Sequence, residues 1–102
     1  MTVYNKLVRD RIPEIIAERE GQAPKTRILT EKEYRVELAK KLNEEVAEYQ
    51  ATPNSEELAD ILEVVYALAA VHNLDPEALE QIRQEKATPR GGFSKKIFLI
   101  EA

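Results

Sequence analysis

Between Ile61 and Val71 the chain carries a single charge, Glu63, in a stretch otherwise made of Ile, Leu, Val, Ala and Tyr. A helix that is apolar all round is a buried one. This segment therefore has to lie inside whatever forms, and the rest of a short chain has to cover it. The residues just before it oppose that requirement. With Glu57 set at zero and ~100° per residue, Asp60 falls ~60° to one side, and Val64, Leu68 and Val71 share that arc. Two acids thus lie on the face of the core residues. A buried carboxylate is costly unless it is paired or bound to a metal.

Little material is available to cover the segment. The 102 residues suit one domain, 1–102, burying roughly 60–70% of its unfolded surface. Hydrophobic residues at 43% and charged residues at 33% fit a globular chain rather than a disordered one. Punctuation divides it into four expected helices. The first runs from about Asp10, as cap, to Glu20, with Pro13 in its first turn and Gly21 as its stop. The second opens on a capping box, Thr30 to Glu33, and continues to about Gln50. Tyr34, Leu38, Leu42 and Tyr49 form its apolar stripe. Pro53 or Asn54 opens the third, which ends near His72. Asp75 and Pro76 start the fourth, expected to reach about Lys86. Beyond it come a Gly-Gly turn and an apolar run, Ile97 to Ile100, a short strand whose one evident partner is Lys25 to Leu29. The expected fold is all-α: a small four-helix bundle with a short extended tail, completed by oligomerisation because three short helices leave the third undercovered.

The second helix supplies further acids: Glu44, Glu45 and Glu48. With Glu44 at zero, Glu48 falls near ~40° and Glu45 near ~100°, against an apolar stripe at about 120–160°. Glu45 thus borders the buried face. In an antiparallel hairpin about Thr52 and Pro53, Glu48 comes level with Glu57 and Glu45 with Asp60. The two levels are about 4.5 Å apart along the axis, between helix axes roughly 8–10 Å apart. An all-oxygen cage of this kind suits Mg²⁺ or Mn²⁺. Taken singly, each acid has an ordinary explanation. Exposed helices are rich in Glu, Lys41 can pair with Glu45 or Glu37, and Glu57 can close a capping box on Asn54. The five together, in register, favour a metal site.

Other chemistries are restricted. There is no cysteine, so thiol catalysis, disulfides and Cys-based zinc sites are excluded. The single histidine, His72, ends a helix, where it suits the dipole. A net charge of -4 argues against nucleic-acid backbone binding. No segment reads as a signal peptide or a bilayer span, so no membrane partner and a cytoplasmic location are expected.

The run Lys41-Leu42-Asn43-Glu44-Glu45-Val46-Ala47-Glu48 followed by Glu57-Leu58-Ala59-Asp60 resembles the EExxE…ExxD signature of the all-α nucleoside triphosphate pyrophosphohydrolases, the MazG-like and phosphoribosyl-ATP pyrophosphohydrolase-like proteins. The opening Tyr4 to Pro13 and the closing Arg90-Gly91-Gly92-Phe93 are similar to one compact branch of that superfamily, so the resemblance spans nearly the whole chain. It implies a helical fold that dimerises through helices. It also implies Mg²⁺ (or Mn²⁺) bound by Glu45, Glu48, Glu57 and Asp60, and cleavage of a nucleotide between its α- and β-phosphates to give a monophosphate and pyrophosphate, as in house-cleaning of non-canonical nucleotides. Glu44 or Glu48 would accept the proton of the attacking water. One departure is that only eight residues, 49–56, separate Glu48 from Glu57. That is a shorter connection than the family's, and it bears on the wall that reads the base.

Phosphates also need cations and donors. Lys6 and Arg9 near one end, and Lys86 and Arg90 with Gly91 and Gly92 near the other, are the candidates for substrate contact. Against that, a Gly-Gly pair is most often just a turn, and Arg9 has motif acids or Asp10 as other partners. Phe93 and the tyrosines read as packing residues. The alternative to an enzyme is a catalytically silent helical oligomerisation module of the same fold. A nucleic-acid regulator, the third class, is disfavoured by the charge.

Overall fold

Helices form where capping and periodicity place them, with shifts at the ends. The computed structural model describes residues 2–102 and contains α1 (Ile12–Glu20), α2 (Glu31–Ala51), α3 (Ser55–Val71) and α4 (Pro76–Arg90). The chain is all-helical, with no strand among the described residues. It divides into two compact units, one ending at Leu68 and the other Ala69–Ala102.

In the first unit α1 starts later than expected. Arg11 occupies the cap position without a side-chain cap bond, so Asp10 is not the cap. A backbone turn, Ile12 N–H to Arg9 O at 3.1 Å, closes the entry instead. Gly21 ends the helix in the left-handed region (φ 72°) and donates its N–H to Ala17 O at 2.8 Å. The capping box of α2 forms in full: Thr30 accepts from the Glu33 N–H, and the Glu33 carboxylate accepts from the Thr30 N–H. α3 is capped by Asn54, whose Oδ1 accepts the Glu57 N–H at 2.9 Å. Leu38 of α2 and Val64 of α3 are the buried apolar residues of this unit, and Glu45 is buried with them. The opposite side of α3 is uncovered: Leu58 is 51% exposed and Leu62 46%.

In the second unit α3 ends at Val71 with Asn73 left-handed (φ 61°) and the Leu74 N–H bonded to Ala69 O. Asp75 then caps α4, accepting the Ala78 N–H at 2.8 Å. α4 does not stop near Lys86; it continues to Arg90. Pro89 lies in the last turn. The one hydrogen bond it forgoes would go to the carbonyl of Glu85, on an exposed turn near the helix end that is open to solvent. Thr88 Oγ1 donates to Gln84 O (3.0 Å) and the Gly91 N–H to Ala87 O (2.6 Å), closing the end. Gly91 adopts φ 81°, ψ −179°, a conformation open essentially to glycine alone. The expected strand at Ile97–Ile100 is absent, as is any strand at Lys25–Leu29. Phe93 anchors no core; it is 98% exposed.

Candidate metal centre

The candidate site lies within the first unit, on facing turns of α2 and α3. Its centre is Glu45. One carboxylate oxygen from each of Glu45, Glu57 and Asp60 lies within 4.8 Å of the others, and the same is true of Glu44, Glu45 and Glu48. Glu45 therefore belongs to both groups, whereas the helical arithmetic set Glu48 beside Glu57. The five acids converge through one buried residue rather than as two level pairs.

The burial follows from the α2 stripe. Glu45 follows Leu38 by two turns, on the edge of the face that meets α3. It is 8% exposed. Its Oε2 and the Oε2 of Glu57 are buried side-chain oxygens with no hydrogen-bond partner. Burial pushes the Glu45 carboxyl above its ordinary range, the neighbouring Glu48 carboxylate adds to the rise, and Lys41 opposes it. The Glu57 N–H donates to Asn54, but its carboxylate makes no reciprocal bond to the Asn54 backbone, so the capping-box explanation for that carboxylate does not hold.

Cations surround the acids. Arg9 donates from Nη2 to Asp60 Oδ1 at 2.7 Å across fifty-one residues of sequence. Lys41 Nζ lies 3.4 Å from Glu44 Oε1 and 3.5 Å from Glu45 Oε1. Lys6 Nζ lies 3.9 Å from Glu44 Oε1. Among the described residues Glu48 has no such cation. The substrate candidates Lys86, Arg90, Gly91 and Gly92 belong to the second unit, where all four are exposed and both glycines face open space.

Beside the acids is an open pocket of about 420 Å³, within the range of small-molecule sites. Leu7 and Val8 form one wall, Tyr34, Leu38, Val64 and Ala67 another, and Glu45 and Asp60 lie at its polar side with Arg9 and Lys41. The part of Leu7 and Val8 in this wall was not foreseen. They precede the first helix and belong to no periodic pattern, so nothing local marks them.

The arrangement fits a hard divalent cation. Three carboxylates from two helices, two of them with orphaned buried oxygens, form an all-oxygen donor set. A buried unpaired carboxylate oxygen is otherwise a cost without return. No known protein family, curated protein or solved structure matches the chain.

Proposed function

We propose that the chain is a metal-dependent nucleotide pyrophosphohydrolase of the MazG-like kind, hydrolysing the bond between the α- and β-phosphates to release a nucleoside monophosphate and pyrophosphate. The observation that carries this reading is the triad Glu45, Glu57 and Asp60 with its two buried, unpartnered oxygens. These three would hold Mg²⁺ or Mn²⁺, with Glu48, a ligand in the family resemblance, left at the outer edge as the base. When bound, the metal would neutralise phosphate charge and acidify a water.

The chain's own residues supply the rest. The pocket beside the acids has the size and the mixed wall for a nucleoside, with Tyr34 among its apolar side chains. Arg9, now on Asp60, is a long cation at the pocket's polar side, and Lys6, now near Glu44, is a second one beside the acids. With the acids neutralised by metal, both are free to turn to the substrate phosphates. Glu48 is the better general base of the two candidates. Among the described residues Lys41 and Lys6 lie beside Glu44, whereas no cation lies beside Glu48. It takes the proton of the water attacking the α-phosphorus, and pyrophosphate leaves.

The exposed face of α3 with Leu58 and Leu62 supports a homo-oligomer formed through that helix. No helix among the described residues is long and apolar enough to cross a membrane, in keeping with a soluble, cytoplasmic enzyme. One observation favours the second reading, a silent module: Asp60 is already satisfied by Arg9. A chromatographic product assay separates the two. Ordinary and modified nucleoside triphosphates and phosphoribosyl-ATP are offered with Mg²⁺ or Mn²⁺, with EDTA as control. Monophosphate plus pyrophosphate, formed only with metal, is expected. A folded protein that turns over none of them leaves the module reading.

A further inference from the structure

Two ion pairs set the segment before α1 apart from the rest of the first unit. Among the described residues, every other ion pair joins side chains no more than six residues apart. Arg9–Asp60 at 2.7 Å and Lys6–Glu44 at 3.9 Å instead run from this segment to α3 and α2. Both end on acids of the candidate metal centre. Little else fastens the segment. Among the described residues, none from Thr2 to Val8 makes a backbone–backbone hydrogen bond, and of these only Leu7 is partly buried.

The cations at the site therefore differ in kind. Lys41 belongs to α2, about one turn before Glu44 and Glu45, and its side chain is mostly buried. It stays with the acids whatever binds there. Arg9 is half-exposed and comes from backbone outside any helix, so its side chain leaves without disturbing one. Its acceptor, Asp60, is grouped with Glu45 and Glu57, each of which carries a buried oxygen with no partner. The guanidinium on Asp60 satisfies neither of those oxygens. A hard divalent ion held by all three carboxylates would use the Asp60 oxygens and place two positive charges beside Arg9. The guanidinium and such an ion repel each other and compete for one acceptor.

We propose that Arg9 is a built-in competitor for the metal: it occupies Asp60 in the metal-free protein, and a divalent ion displaces it, so that metal binding and release of the N-terminal segment are one event. This rests on the metal-centre reading and adds a control to it. Metal affinity is set below what the three carboxylates alone would reach. An anion that draws Arg9 away from Asp60 raises metal affinity, and metal raises the affinity for that anion by the same factor, because coupling between two sites is reciprocal. A phosphate-bearing ligand and the metal thus favour each other through one side chain.

Calorimetric titration of Mg²⁺ or Mn²⁺ alone into the full chain compares wild type, Arg9→Gln and Arg11→Gln. Arg11 also lines the pocket and carries the same charge, but it pairs with Glu14 at 3.2 Å. Arg9→Gln should bind metal about two- to fivefold tighter, the range that a half-exposed ion pair supplies. Arg11→Gln should stay close to wild type. A second readout follows the segment itself. The chain has no cysteine and Val3 is exposed, so Val3→Cys takes a single nitroxide label. Mg²⁺ should narrow the label's spectrum, and with Arg9→Gln the spectrum should be narrow before Mg²⁺ is added. Equal tightening by Arg9→Gln and Arg11→Gln would reduce the effect to net charge and overturn the competitor role. So would unchanged affinity in Arg9→Gln, or a label that Mg²⁺ leaves unmoved. No metal bound by wild type or by either variant would overturn the metal centre itself, and this proposal with it.

Discussion

The starts of α2 and α3 are built from the same local parts and use them differently. Each has a capping side chain, Thr30 or Asn54, and each has a glutamate three residues on, Glu33 or Glu57. Both caps accept the backbone N–H of that glutamate, at 3.2 and 2.9 Å. At α2 the glutamate folds back. It accepts from the Thr30 N–H at 2.9 Å and from Arg27 at 3.1 and 2.8 Å, and these partners hold its carboxyl at about 2. At α3 the reciprocal bond is absent. The Glu57 Oε2 is buried without a partner, in a group with Glu45 and Asp60. A solution for this carboxylate was available locally, and α3 does not use it. The first glutamate stabilises a helix. The second is turned among other carboxylates, where no donor of the chain satisfies its buried oxygen.

The sharpest way to break this comparison is kinetic. Glu57→Gln should lose metal-dependent turnover by at least ~100-fold, as should Asp60→Asn, because each removes a ligand of the charge-neutralising ion. Glu33→Gln should stay within about twofold of wild type. Steady-state rates in Mg²⁺ and in Mn²⁺ measure all three. Wild-type turnover in Glu57→Gln would put that residue back among the capping acids.

Stability gives a smaller effect with opposite signs at the two kinds of site. Thr30→Ala removes a working cap and should cost about 1 kcal/mol, a fall in Tm of roughly 4–8 °C for a domain of this size. Glu45→Met removes a buried carboxylate with an orphaned oxygen. It should raise the metal-free Tm by a similar amount, since an unsatisfied buried polar group costs about 1–3 kcal/mol. Added Mg²⁺ should then stabilise the wild type and leave Glu45→Met unmoved. Thermal melts with and without EDTA decide it; a destabilised Glu45→Met protein would mean that the acid is satisfied as it stands.

How far the sequence foretold this follows from where the information lies. Caps are local, so Thr30, Asp75 and Gly21 were readable. So was the shared face of Asp60 and Val64, since periodicity needs only a straight helix. Asp10 is not the cap, because a backbone turn at Arg9 closes the entry to α1 instead. α4 runs past Lys86, because Pro89 in a last, exposed turn costs less than in mid-helix. The site was legible as a list of acids but not as an arrangement. That Glu45 is the shared member depends on the packing of α2 against α3. That Arg9 reaches Asp60 depends on how a segment with no periodicity returns to the helices. The tail is legible as apolar, but the strand expected at Ile97–Ile100 does not form and Phe93 anchors no core, because apolar side chains alone do not say what covers them.

The smallest effect sharpens the comparison along the pH axis. The folded Glu33 carboxyl lies at about 2, below the ordinary 4.5. Its contribution is therefore complete above about 4.5 and is lost as pH falls toward 2. The folded Glu45 carboxyl is shifted the other way, upward, chiefly by burial. The folded state then binds its proton more readily than the unfolded chain does, so its contribution is complete below 4.5 and is lost as pH rises through the raised value. In EDTA, the Tm difference between Glu33→Gln and wild type should shrink on acidification from pH 5 to pH 2. The advantage of Glu45→Met should instead grow as pH is raised above 4.5. Glu33 is exposed, so its effect is modest and weakens with salt, whereas that of Glu45 resists salt. Two profiles moving in the same pH window would mean that the two acids occupy equivalent environments. Opposite windows would tie each shift to its cause, partners at one site and burial at the other.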